Sequence, residues 1–231
     1  MSGAPGNDFW KLGLFQGLCR AAISKLQASA GSRLISAGSL LFKQGEAATH
    51  LYVVREGCFK VLHLTVGGTQ VGLGFVLEGE LLGGAAAMLP TPFAASAYAV
   101  RDSTVSIWTK PLLDEIGAGE PALFGNLLRI VCASNDALVA RLGEQLSEPV
   151  EQRVARTIRR LARVTNADAL ALTPPISRQD IADLTGTTHF TVSRILRAWE
   201  RRGLIASRRP CIAILDAACL LNLSEGGRAS T

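Results

Sequence analysis

The sequence predicts an α+β chain in three parts: an N-terminal antiparallel β-barrel over residues 1–119, a long helix over 120–147, and two short helices followed by a two-stranded wing over 148–231. Three observations predict it. β-rich runs punctuated by glycine fill residues 40–108, an apolar stripe spaced alternately four and three fills 124–145, and a two-helix pattern turns on Gly186. Strands first and helices afterwards mark an α+β arrangement, because the strands must cover one another before the helices begin.

In the first part the β-rich runs are 40–42, 51–54, 59–64, 71–77 and 95–107, with Gly45, Gly57, Gly67, Gly68, Gly79, Gly83 and Gly84 between or beside them. Even spacing with glycine turns reads as an antiparallel sandwich or barrel. Residues 8–30, ahead of it, read as one or two short helices. The most apolar stretch, 81–100, is interrupted by Gly83, Gly84, Pro90 and Pro92. It is a poor membrane span and a good buried loop and strand, so no membrane association is expected.

After Pro121 the period becomes helical, with Phe124, Leu128, Val131, Asn135, Leu138, Leu142 and Gln145 alternately four and three apart. That spacing is a coiled-coil seam. Asn135 falls at an a position, where a buried Asn favours a parallel pair because its own copy across the seam satisfies it. Phe124, Leu128, Val131, Asn135, Leu138 and Leu142 are therefore candidate dimer-interface residues. The same stripe would also serve a helix packed on its own barrel. Glu148 before Pro149 marks a break, since proline disfavours helix in the residue preceding it. Residues 150–164 then read as an Arg-rich amphipathic helix with Val154, Ile158 and Leu161 on one face.

In 176–204, Ser177 is an N-cap with Asp180 three residues on, Ile181 and Leu184 give a first helix its apolar side, and Gly186 makes the turn. Thr188 caps a second helix whose Val192, Ile195, Leu196 and Trp199 face inward, leaving His189, Phe190, Ser193, Arg194 and Arg197 outward. A second helix placed so would fit a DNA major groove. Beyond it, 203–205 and 212–215 read as a wing, with Arg208 and Arg209 at its tip.

Charge separates the same parts. Residues 1–150 hold 11 basic and 12 acidic side chains, whereas 151–209 hold 12 arginines, no lysine and 5 acidic residues. A local arginine excess suits a phosphate-binding surface, because the guanidinium grips phosphate oxygens as a fork and stays charged. A solvated helix face would show the same excess, and a two-helix unit can also dock on protein.

Other chemistry is not signalled. No Ser-His-Asp set, P-loop, metal-ligand cluster or paired catalytic carboxylates stand out, so neither an enzyme nor a metal site is expected. Cys19, Cys58, Cys132, Cys211 and Cys219 are odd in number and lack a C-x-x-C pair, which argues against a disulfide framework and a zinc site. Cys58 and Cys132 are candidate oxidant sensors, although a buried apolar role is commoner for a free cysteine. Residues 2–8 are small and polar rather than basic then apolar, so a cytoplasmic protein is expected.

The chain resembles the Crp-Fnr superfamily of transcription regulators along nearly all its length. In the barrel the resemblance rests on Gly38-Ser39-Leu40-Leu41-Phe42-Lys43-Gln44-Gly45-Glu46, Leu51-Tyr52-Val53-Val54 with Gly57, and Gly79-Glu80-Leu81-Leu82-Gly83; near the C-terminus it rests on Ser177-Arg178-Gln179-Asp180-Ile181-Ala182 and Thr191-Val192-Ser193-Arg194-Ile195-Leu196. It implies a cyclic nucleotide-binding-like barrel that senses an effector, a dimerisation helix and a winged helix-turn-helix. The implied partners are double-stranded DNA with a near-palindromic site, a second copy of the chain and RNA polymerase. Alternatively, the chain is a regulatory adaptor whose C-terminal domain contacts protein. The implied DNA-binding residues are Ser177, Arg178, Gln179, Thr188, His189, Phe190, Thr191, Ser193, Arg194, Arg197, Arg208 and Arg209. Among them Arg194 sits where the family reads a guanine, Ser193 can contact a base, and Ser177, Arg178 and Gln179 suit phosphates. Phe190 stands where most members have a glutamate that reads cytosine, which implies a half-site taking T or A there.

The barrel departs from the cAMP-binding members. Their Gly-Glu pair for the ribose and Arg-Ser pair for the cyclic phosphate correspond here to Gly83-Gly84 and Phe93-Ala94. A phosphate monoanion buried without its arginine costs several kcal/mol, so cAMP is not the expected effector. Cys19 is also too little for the N-terminal cysteine group of iron-sulfur members. What remains is a pocket expected at Leu82, Gly83, Gly84, Ala85, Ala87, Met88, Phe93, Ala94, Ala95 and Leu138. An apolar ligand, haem held by His50 or His63, or no ligand at all would fit it.

Overall fold

A computed structural model of the chain describes residues 13–163, 171–208 and 210–227. The chain divides into two compact units, one within residues 1–69 and 74–137, the other within 70–73 and 138–231.

The first unit begins with a 3-10 turn at Gly13–Phe15 and helix α1 (Arg20–Ser29), whose N-cap Cys19 accepts a hydrogen bond from the Ala22 amide through Sγ. Strands β1 (Gly31–Ile35), β2 (Leu40–Phe42), β3 (His50–Glu56), β4 (Cys58–Leu64), β5 (Gln70–Leu77) and β6 (Leu81–Leu82) follow, then helix α2 (Gly84–Met88) and strands β7 (Ser96–Ala99) and β8 (Ser103–Thr109). They form two four-stranded sheets, ordered β1-β8-β3-β6 and β2-β7-β4-β5.

The two-residue period of a strand explains why β3 is apolar on both faces. Leu51 and Val53 point to a cluster with Leu26, Trp108, Leu113, Leu123 and Leu127, whereas Tyr52 and Val54 point inside the barrel to Phe42, Phe59, Leu82 and Phe93. Helices α3 (Lys110–Gly119) and α4 (Ala122–Ser147) cover the outer face. Two polar side chains close that packing. The Trp108 indole donates to the Leu26 carbonyl at 2.9 Å, and buried Asn126 donates to the carbonyls of Leu14 (3.0 Å) and Gln16 (2.7 Å).

The expected single run at 95–107 is two strands, because the chain turns at Arg101 and Asp102. There Asp102 Oδ1 accepts from the Ala37 amide at 2.8 Å. The stretch 81–100, expected as loop and strand, also contains α2. Strand β1 was not expected. It lies at a sheet edge with only Ile35 buried, so it has no apolar alternation to betray it.

Helix α4 begins against the first unit and ends in the second. Leu123, Asn126 and Leu127 are buried, but from Cys132 to Ala140 every residue is exposed. Helix α5 (Val150–Leu161) follows, with Val154, Ile158 and Leu161 buried as its amphipathic pattern requires. Then come β9 (Ala171–Leu172), α6 (Arg178–Thr185), α7 (His189–Arg201), β10 (Ile205–Arg208), β11 (Cys211–Ile214) and α8 (Ala217–Ser224). The wing is β10 and β11, joined by the unexpected β9 through Ala213 opposite Leu172 and Ile214 opposite Ala171. Expected features at residues 8–12, 164–168 and Arg209 lie outside the described residues.

Candidate nucleic-acid interface

Helix α6 starts at a complete capping box: the Ser177 hydroxyl accepts from the Asp180 amide at 3.0 Å, while Asp180 Oδ2 accepts from the Ser177 amide at 3.0 Å. It ends at Gly186, whose left-handed φ of 59° makes the turn that most side chains resist. Thr188 then caps α7, accepting from the Thr191 amide at 3.2 Å. These local signals fix where α7 begins and how it leaves the turn.

On α7, Val192, Ser193, Ile195, Leu196 and Trp199 are buried. Phe190, Arg194, Arg197 and Arg201 are exposed and recur at i, i+4, i+7 and i+11, so they form one stripe. With Arg178, His189, Ser193 and Glu200 they line a single shallow depression. Glu200 and Arg201 were not among the expected site residues, although extending the same helical spacing by one turn finds Arg201.

Ser193 departs from expectation. Expected on the outer face, it is only 7% exposed and accepts a hydrogen bond from Arg178 Nη1 at 3.3 Å. Roughly 100° of helical rotation separates it from Val192, at the edge of the buried face, and the Arg178 side chain covers its short hydroxymethyl group. Ser193 thus positions Arg178 over the depression. Ser177 spends its hydroxyl on the cap and on Asp180 Oδ2 at 2.6 Å, and Gln179 Nε2 donates to Asp183 at 2.7 Å. Arg208 is exposed on β10.

Much of the arginine excess has a different use. Arg153 donates to the carbonyls of Thr185 (3.0 Å), Gln145 (3.1 Å) and Glu148 (2.8 Å), tying together helix ends whose last carbonyls lack helical partners. Arg156 pairs with Glu148 (2.7 Å) and Glu144 (3.3 Å) and donates to the Ser224 carbonyl at 2.6 Å. Arg160 holds Glu144 at 2.9 Å. Among the arginines of α5, then, 153, 156 and 160 brace the domain, and the outward stripe belongs to α7.

Leu82 and Phe93, expected to line an effector pocket, pack in the barrel core. Phe93 is 6% exposed and stacks on Phe42, with centroids 3.9 Å apart and planes at 16°. Tyr52 also stacks on Phe42, at 5.6 Å, and burial pushes its phenol upward from the usual range. A Cβ on Gly83 (φ 78°) would come within 3.0 Å of the Phe93 ring, so the glycine is what admits the ring. Leu82 belongs to the same cluster. Gly84 lies against Leu81 and Val131, and Met88 packs on the outer cluster. Ala94 and Ala85 are exposed rather than lining, and Leu138 is exposed on α4. His50 Nδ1 lies 2.8 Å from Thr49 Oγ1, and His63 Nδ1 2.9 Å from the Ala94 carbonyl. Cys58 is buried and Cys132 exposed.

Of the seam residues, Phe124 and Val131 are half-buried on their own unit, whereas Leu128, Asn135, Leu138 and Leu142 are exposed.

Comparison with known proteins agrees with this architecture. Residues 32–120 match the cyclic nucleotide-binding domain and 152–223 the Crp-like helix-turn-helix domain. The nitrogen fixation regulation protein FixK of Bradyrhizobium diazoefficiens is 31% identical over 188 residues, 79% of this chain and 77% of FixK. The transcriptional activator protein FnrA of Stutzerimonas stutzeri is 27% identical over 202 residues, 84% of this chain and 80% of FnrA. Among solved structures, FixK2 from Bradyrhizobium japonicum superposes with a TM-score of 0.74, covering 87% of this chain and 99% of that one, at 20% identity, which speaks for the fold alone. A barrel, a long helix and a winged helix-turn-helix in this order, with these relatives, show that the chain belongs to the Crp-Fnr superfamily of DNA-binding transcription regulators.

Proposed function

We propose that the protein works as a cytoplasmic homodimer on near-palindromic DNA, presenting its bound state to RNA polymerase, catalysing nothing itself and answering to a signal other than cAMP. The observation that carries the reading is the stripe Phe190, Arg194, Arg197 and Arg201 on a capped helix whose opposite face is buried. Residues 1–119 act as the sensing part, 120–147 as the dimerisation helix and 148–231 as the reader. Two copies related by a twofold axis would place their α7 helices in successive major grooves, with inverted half-sites about 34 Å apart.

Within α7, Arg194 is assigned to a guanine edge and Arg197, Arg201, Arg178 and Arg208 to phosphates. These roles separate experimentally. Arg194→Ala should relax specificity at one base pair by about 1–3 kcal/mol. Arg208→Ala should weaken all sequences alike and reduce the slope of log affinity against log salt by about 1 per half-site, about 2 for the dimer. Selection from a random DNA pool, followed by salt titration of wild type and both variants, checks both. Failure to enrich any sequence over the random pool would overturn the reading.

The barrel does not fit a cyclic nucleotide. Phe93 fills the space beside Gly83, and an apolar ring cannot meet a buried phosphate. Calorimetric titration with millimolar cAMP should give no binding heat, and cAMP should leave DNA affinity unchanged. A micromolar Kd would show that the Phe93 segment opens to admit the nucleotide.

A further inference from the structure

Phe190 is 81% exposed, the second residue of α7, on a stripe whose other members are arginines. The His189 ring lies edge-on to it at 5.4 Å and 75°. No core of its own covers it. On the surface assigned above to the major groove, a phenyl ring can neither donate nor accept the hydrogen bonds that distinguish base edges. The apolar feature in that groove is the C5-methyl of thymine.

We propose, resting on the DNA-binding reading, that Phe190 recognises this methyl group, so that each half-site requires a 5-methylpyrimidine at one defined position. The helix also sets where. Phe190 precedes Arg194 by four residues, a rise of roughly 6 Å, against about 3.4 Å per base step. The methyl therefore belongs about one to two base pairs from the guanine that Arg194 contacts. Adenine on the same strand offers no such group, so thymine rather than A·T content is what is read. 5-Methylcytosine carries the same methyl at the same place and satisfies the ring equally well.

Deoxyuridine tests this because it removes only the methyl and keeps every hydrogen bond of the pair. Each thymine of the selected operator is replaced in turn, in both half-sites, and binding to full-length protein is measured by fluorescence anisotropy. Removing one buried methyl should weaken wild type about fourfold per half-site, hence about 15-fold for the symmetric double replacement, at one position only. Phe190→Ala should bind thymine and deoxyuridine operators equally. At that position 5-methylcytosine paired with guanine should bind wild type more tightly than cytosine paired with guanine. The side chain is exposed, and an unchanged circular dichroism spectrum and salt slope for Phe190→Ala verify its fold and its phosphate contacts.

An operator that enriches normally but shows no deoxyuridine-sensitive position within two base pairs of the Arg194 guanine overturns the methyl proposal and leaves DNA binding standing. Equal deoxyuridine sensitivity in Phe190→Ala overturns it too, and an unaffected operator would assign the ring to a protein partner. Absence of any enriched operator brings down the DNA-binding reading itself, and the methyl proposal with it.

Discussion

Replacing Leu128 and Leu138 together with glutamate should turn the protein into a monomer that binds its operator about a hundredfold more weakly or worse. The expectation follows from surface that the single chain leaves uncovered. Leu128 is 52% and Leu138 40% exposed, and Val139, Leu142 and Leu146 are more exposed than Leu138. The exposed stripe runs over four helical turns at coiled-coil spacing, with polar or charged Arg129, Ser134, Asp136 and Arg141 on the remaining faces. By length and composition alone α4 could cross a membrane. Against that stands Asn135, which falls in the middle of the stripe and would be satisfied by its own copy across a two-chain seam, whereas lipid offers it nothing.

Two glutamates per chain would put four like charges into one dry interface, whose desolvation exceeds anything that packing could return. A monomer then binds one half-site without the effective concentration that a linked second reader supplies, and that linkage is commonly worth about a hundredfold to ten-thousandfold. Sedimentation velocity in detergent-free buffer checks the assembly and operator titration checks the affinity. If the double variant sediments as a dimer, the stripe is not the seam. If wild type is itself monomeric, α4 is covered by something other than a second copy.

The sequence made some parts of this plain and concealed others for physical reasons. Caps and turns are local, so Ser177, Gly186 and Thr188 announced both ends of α6 and the start of α7. Strands buried on one or both faces were visible as apolar runs, but edge strand β1, with Ser32, Arg33 and Leu34 exposed, has no such run to mark it. Charge content misled in one respect. Arg153, Arg156 and Arg160 counted toward a phosphate-binding surface, yet they hold helix ends and glutamates within their own domain. Nothing in a one-dimensional count separates a brace from a contact, because both need a charged fork and only the neighbours differ. Ser193 failed at the boundary of a helical face, where a short side chain goes inside or outside according to what lies above it. Phe93, expected to line a pocket, is buried against Phe42. Its stacking partner Phe42 is 51 residues away in sequence, and only the folded chain brings the rings together.

That ring yields the second large expectation: Phe93→Ala should destabilise the barrel by about 3–5 kcal/mol, at the upper end for a buried aromatic. The size of the effect depends on whether the site can collapse, and here it is held open. The Gly45 amide donates to the Phe93 carbonyl at 2.9 Å and the Phe93 amide to the Glu46 carbonyl at 3.0 Å, while Ala47 and Pro92 form an adjacent β-bridge. Backbone pinned on both sides of position 93 cannot move inward to fill the gap. Gly83 has no side chain to offer, and Phe42 is held in a stack with Tyr52. A cavity lined by Phe42, Leu82 and Tyr52 should therefore persist. A persistent apolar cavity binds small aromatic molecules, so benzene or indole should restore part of the lost stability in the variant and do nothing for wild type. Because two domains need not unfold together, the measurement is amide exchange of β3 and β7 rather than a single melting curve. A loss below about 1 kcal/mol would mean that Phe93 is not part of the core and swings aside, as a lid over an effector site would. The expected loss, with rescue confined to the variant, would instead mean that the barrel carries its own side chain where related domains hold a ligand. Control of DNA binding would then enter through another surface of the protein.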